Sequence, residues 1–114
     1  MSITEMDRAR HAIERGHILL ALQQDYREVM TSVRSLVGAI DLIGYPMTVK
    51  ELEFHLVRLA DGGYIRIWRA GDVPGYRRDR SMEERASRIV FARLLPPGLQ
   101  LIDGDIAADP GVRF

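Results

Sequence analysis

Apolar residues along this chain recur first at helical and then at extended spacing. From Thr4 to Gln24, Met6, Ala9, Ile13, Gly16 and Leu20 return every three or four residues, which predicts a long helix. Thr4 stands at the capping position, and Glu5 and Asp7 lie in the first turn, where the helix dipole favours acids. Ile18-Leu19-Leu20-Ala21-Leu22 is apolar on every side, so this half of the helix is expected to be covered all round. Gly16 is costly in mid-helix unless something packs closely against it. Residues 25–31, DYREVMT, read as a short extended connector. A second helix is predicted from Ser32 to about Ile43, with Val33, Val37 and Ile40 in one row and Leu36 and Ile43 beside it. Gly44 takes the left-handed position that ends it, and Tyr45-Pro46 makes the turn.

The third helix has the clearest start signal. Thr48-Val49-Lys50-Glu51 is a capping box, with Met47 and Leu52 at the staple positions. Leu52, Leu56 and Leu59 give the buried stripe, and Gly62-Gly63 ends the helix. The period then changes. Tyr64 to Arg69 alternates as a strand, and Arg88 to Leu95 reads as a second strand antiparallel to the first. Between them lies a long loop, about residues 70–87, containing the turn GDVPG and a helix-compatible SMEERAS. Pro96-Pro97-Gly98 breaks the second strand, Leu99 to Ile102 starts a short helix, and 109–114 form a tail.

Helix, helix, turn, capped helix, Gly-Gly, strand, loop, strand is the order of a winged helix-turn-helix. The expected fold is α+β: one domain over residues 1–114, with a long N-terminal helix, a two-stranded wing and a short C-terminal helix and tail. In Gly16-His17-Ile18-Leu19-Leu20-Ala21-Leu22, in Leu56-Val57-Arg58-Leu59-Ala60-Asp61-Gly62-Gly63-Tyr64-Ile65, and in Pro97 to Gly104 with Asp109-Pro110-Gly111-Val112, the chain also resembles a small family of winged-helix proteins of unknown function encoded in Mu-like phages and prophages. The resemblance covers about residues 15–113. Leu95-Pro96-Pro97-Gly98 departs from the family's Thr-containing turn, and the segment near 70–87 is longer than in the family. The resemblance implies a phage or prophage setting and no defined activity.

Composition narrows the possible functions. The chain has no Cys, which excludes disulfides, thiolate metal sites and cysteine catalysis and fits a cytoplasmic protein. Sixteen acids balance sixteen bases, so neither a basic nucleic-acid coat nor an acidic mimic is expected. No apolar run is long enough to span a membrane, and no signal peptide opens the sequence. Charge is nevertheless uneven: residues 63–93 hold eight bases against four acids. Arg66, Arg69, Arg77, Arg78, Arg80, Arg85, Arg88 and Arg93 all fall there, among Tyr64, Trp68 and Tyr76.

Two readings follow. In the first, the outward face of the third helix (Lys50, Phe54 and Arg58, beside Val57 and Asp61) enters a DNA groove while the arginines from Arg66 to Arg88 grip phosphates. The protein is then a DNA-binding regulator. The apolar row Ile3, Met6, Ala9 and Ile13 is its homodimer seam or packs on its own tail. In the second, the third helix, with two bases against three acids, is a poor groove reader. Exposed Phe54 and Val57 would then contact a phage or host protein instead. Enzymatic chemistry has no carrier in the sequence. His11 and His17 cannot share a helix face, and His55 reads as a partly buried polar neighbour. No serine has a nucleophile context, and no phosphate loop occurs. Asp103-Gly104-Asp105 with Asp109 lacks the closing ligands of a calcium loop and reads as a surface turn. No cofactor and no metal are expected.

Overall fold

Helix α1 spans Ile3–Gln24. The computed structural model describes residues 3–27, 30–75 and 87–114, with Ile3 described by its backbone alone. The buried face of α1 is Ala12, Gly16, Ile18, Leu19 and Leu22, together with Glu14 and Arg15. Met6 is exposed and Ala9 and Ile13 are half-buried, and within the stretch expected to be covered all round Leu20 and Ala21 are only half-buried. Two charged residues, Glu14 and Arg15, occupy inward positions, so the buried face of α1 is not purely apolar. Glu14 is paired and Arg15 is partly so, its Nε being buried without a partner. Arg10 Nε donates to Glu14 Oε1 at 2.9 Å, and Arg15 Nη1 donates to the Gly111 carbonyl at 3.1 Å.

Helix α2 (Val33–Leu42) is capped by Ser32, whose hydroxyl accepts from the Ser35 amide at 3.1 Å. Val33, Leu36 and Ile40 are buried. Ile43, expected beside that row, is half exposed because it lies one residue beyond the last turn. Gly44 has φ +90°, the left-handed geometry predicted for it. Helix α3 (Val49–Asp61) begins with the predicted capping box: the Thr48 hydroxyl accepts from the Glu51 amide at 3.2 Å and the Glu51 carboxylate accepts from the Thr48 amide at 3.3 Å. Leu52, Leu56 and Leu59 are fully buried, as their spacing requires. Val57, expected to be exposed, is half-buried against the core.

Strands β2 (Ile65–Arg69) and β3 (Ile89–Leu94) pair antiparallel, with Ile65 opposite Leu94, Arg66 opposite Arg93, Ile67 opposite Ala92 and Trp68 opposite Phe91. The register shifts between Trp68 and Arg69. A strand β1 (Thr31–Ser32) pairs with the other edge of β3, giving the order β1-β3-β2. The expected two-stranded wing is therefore part of a three-stranded sheet. Two residues are too few to display a period of two, so β1 left no signal in the connector. A 3-10 turn (Ala70–Asp72) follows β2, and most of the expected loop, residues 76–86, lies outside the described residues.

Helix α4 runs Pro96–Asp103, three residues earlier than predicted. Pro96 and Pro97 end β3 and also open the helix, because the first helical turn needs no amide hydrogen and proline already has helical φ. The Leu95 amide closes the ladder onto the Tyr64 carbonyl at 2.9 Å. Gly98 then packs on the start of β2: a β-carbon there would stand 2.3 Å from the Tyr64 carbonyl oxygen. The tail is also docked. Val112 is 8% exposed, and the Arg113 amide donates to the Ala12 carbonyl at 2.9 Å. A β-carbon on Gly16 would meet the Arg113 carbonyl oxygen at 2.0 Å, so the close packing that Gly16 signalled is the chain's own tail. Among the described residues the architecture is α+β: four helices and one three-stranded antiparallel sheet. A single core joins α1, α2, α3, the inner sheet face, α4 and Val112.

Candidate nucleic-acid interface

The buried leucines of α3 fix what the opposite side presents. Lys50 and Phe54, one turn apart, are exposed, and Phe54 keeps 58% of its surface in water. Arg58, one turn further, is half-buried. Its Nη2 lies 3.6 Å from Asp109 Oδ1. Asp109 is itself held by the Tyr64 hydroxyl at 2.8 Å and the Gly111 amide at 2.7 Å. Burial pushes the Asp109 carboxyl upward. The Gly111 and Tyr64 hydrogen bonds and the Arg58 and Arg15 charges outweigh it and hold the group below its usual range. Burial, followed by the bond to Asp109, raises the Tyr64 phenol.

The hairpin carries the other described candidate arginines, Arg66, Arg69 and Arg88. Arg69 donates to the Ser87 carbonyl across the hairpin end. Arg88 Nε lies 3.5 Å from Glu53 Oε1 of α3, which ties the base of the loop to the exposed helix. Arg66 lies over the Trp68 ring at 4.5 Å from its centroid. The structure thus brings Lys50 and Phe54 together on one face, joins Arg88 to that helix, and turns Arg58 toward the tail. Arg77, Arg78, Arg80 and Arg85 lie outside the described residues. Of the dimer candidates, Met6 is exposed, Ala9 and Ile13 are half-buried, and the Ile3 side chain is not described.

One cluster had only a faint signal in the sequence. His55 lies on the buried stripe between Leu52 and Leu59 and is 1% exposed. Its Nε2 is 3.4 Å from Glu14 Oε2 across the α1–α3 contact. His11 meets its ring edge-on at 5.2 Å and Phe54 at 5.9 Å. Burial pushes His55 below its ordinary pKa; Glu14 opposes this, and Arg15 and His11 reinforce it. His55 Nδ1 is buried without a hydrogen-bond partner. The pair floors a pocket of about 230 Å³ rimmed by Arg10, Lys50 and Phe54. The spacing of His55 from the leucines gave its burial, but nothing local identified Glu14 as its partner. Among the described residues, no three His, Asp or Glu side chains come together to hold a metal. No helix among them is long and apolar enough to cross a membrane.

Comparison with protein families, with curated proteins and with solved structures finds no match to this chain.

Proposed function

We propose that the chain is a winged-helix DNA-binding protein acting as a homodimer, a regulator of phage or prophage type. The observation that carries this reading is the order α1-β1-α2-α3-β2-β3 with the antiparallel sheet ordered β1-β3-β2. That order sets a capped helix beside a hairpin so that both can meet one duplex. In this reading Lys50 and Phe54 enter the major groove. Arg69, Arg88 and the arginines of the 76–86 segment lie along the flanking backbone. Glu53 is an acid facing the same DNA, and its pairing with Arg88 lessens the repulsion. With two bases against three acids on α3, affinity depends mostly on the hairpin.

Anisotropy titration of a labelled random duplex tests this. Affinity is expected to fall steeply between about 50 mM and about 200 mM salt. Replacing Arg77, Arg78 and Arg80 together with Ala should weaken it. Absence of binding at the lower salt overturns the reading. Dimerisation through α1 is checked by sedimentation of Met6→Glu, which should be monomeric where the wild type is not.

A second reading is favoured by the exposure of Phe54. It is an aromatic side chain on a helix of net negative charge, and it suits a protein surface better than a phosphate backbone. Here the fold serves contact with a phage or host protein. Phe54→Ser would then abolish co-purification of that partner, while duplex DNA would not bind at any salt concentration.

A further inference from the structure

The outer face of the sheet holds Trp68, Phe91 and Arg93, which duplex docking through α3 and the hairpin end leaves unused, beside Arg66, one of the arginines expected on duplex phosphates. Ile65 and Ile67 point into the core, so the alternation of β2 puts Arg66 and Trp68 on the opposite face. The register sets Arg66 directly across from Arg93, and Trp68 directly across from Phe91. Ser32 of β1 extends this row beyond Phe91. Both arginines are exposed, and both aromatic residues are half-buried.

Two like charges directly opposite each other on neighbouring strands repel and cost stability. Among the described residues, no carboxylate lies within ion-pair distance of Arg66 or Arg93. Arg66 rests instead on the indole. The cationic pair and the aromatic pair are two residues apart along each strand, about 7 Å. A base can therefore lie on the Trp68 indole while its phosphate meets the guanidinium groups. A duplex hides its ring faces in its own stack; a single strand offers ring and phosphate together.

We propose that this face binds single-stranded nucleic acid. On binding, the Arg66 guanidinium leaves the indole for a phosphate shared with Arg93, and a base takes its place on Trp68. The site goes beyond the duplex reading and uses none of its helix residues.

Trp68 is the only tryptophan in the chain, so intrinsic fluorescence reports on this face directly. The full chain is titrated at about 50 mM salt with oligothymidylate, oligouridylate and a duplex of matched length. Saturable quenching by a single strand is expected, with weaker quenching by the duplex. Because thymine and uracil differ by a methyl group, oligodeoxyuridylate is compared with oligouridylate to identify the preferred sugar. Arg93→Glu should weaken binding at least tenfold. It should also raise the melting temperature, because it replaces a cross-strand repulsion with an attraction. Trp68→Ala, followed by anisotropy of a labelled oligomer, should lose about tenfold. Lys50→Ala should leave single-strand binding unchanged while weakening any duplex binding, which separates failure of this site from failure of the duplex reading. Absence of quenching by either homopolymer, equal quenching by the duplex, or unaltered affinity in Arg93→Glu overturns the proposal.

Discussion

The same one-methyl substitution at two helical glycines should have opposite effects on stability. Gly38 lies inside α2 and Gly98 inside α4. Replacing a helix-interior glycine with alanine gains about 1 kcal/mol from the lower backbone entropy of the unfolded chain, provided the methyl group finds room. At Gly38 a β-carbon would have nothing within 4 Å, so Gly38→Ala should be stabilising by that amount. At Gly98 the β-carbon would stand 2.3 Å from the Tyr64 carbonyl oxygen and 2.7 Å from Leu94 Cδ1. Ordinary contact requires α4 to retreat by roughly 1 Å from the start of β2. The Leu95 amide bond to Tyr64 holds the two together there, and buried Leu101 must shift as well. Overpacking of this kind costs about 1–3 kcal/mol, and the lost hydrogen bond adds about 1 kcal/mol. After the helix gain, Gly98→Ala should be destabilising by about 1–3 kcal/mol. Urea unfolding followed by circular dichroism reads both variants on one scale. Stabilisation of Gly98→Ala to the same extent as Gly38→Ala would refute the docking of α4 on β2.

Further tests follow from the buried polar groups and the caps. Folded His55 resists protonation, so as pH falls through about 6.5 the unfolded chain takes up a proton that the folded chain refuses, and stability declines by at most about 1.4 kcal/mol per pH unit. His55→Gln, which can still donate to Glu14, should flatten that decline in urea titrations between about pH 7 and pH 5. An unchanged slope would place the titrating group elsewhere. Thr48→Ala removes the cap of α3 and should cost about 1 kcal/mol in the same assay, whereas Thr48→Ser should cost little. Gly16→Ala should lift the tail, seen as faster hydrogen exchange at the Arg113 amide, with exchange in α3 unchanged.

The parts of the fold that were legible in the sequence are those whose signals are local. The capping box, the leucine row of α3, the left-handed Gly44 and the alternation of Tyr64–Arg69 each sit within a few residues, and the structure reproduces them. Strand β1 was illegible because its two residues owe their conformation to β3. The burial of Glu14 and Arg15 on α1 was illegible because their partners His55, Arg10 and Gly111 are mostly distant in sequence. Pro96 and Pro97 were read as a stop because the residues that end a strand also begin a helix. Of the candidate site, the exposure of Lys50 and Phe54 followed from helix geometry alone. The pairing of Arg58 with Asp109 and of Arg88 with Glu53 did not, since each joins segments distant in sequence.

The placement of β3 at the centre of the sheet has a consequence for biosynthesis. Its partners β1 and β2 both precede it in the chain, and Ala92 and Leu94 close the floor on which α1 and α2 rest. A ribosome that has released the chain up to residue 88 has released, among the described residues, three helices with an open greasy underside and two strands lacking a mate. Native structure is therefore gained only once residues 89–94 have emerged, and nascent chains stalled before that point are the species on which chaperones and proteases act.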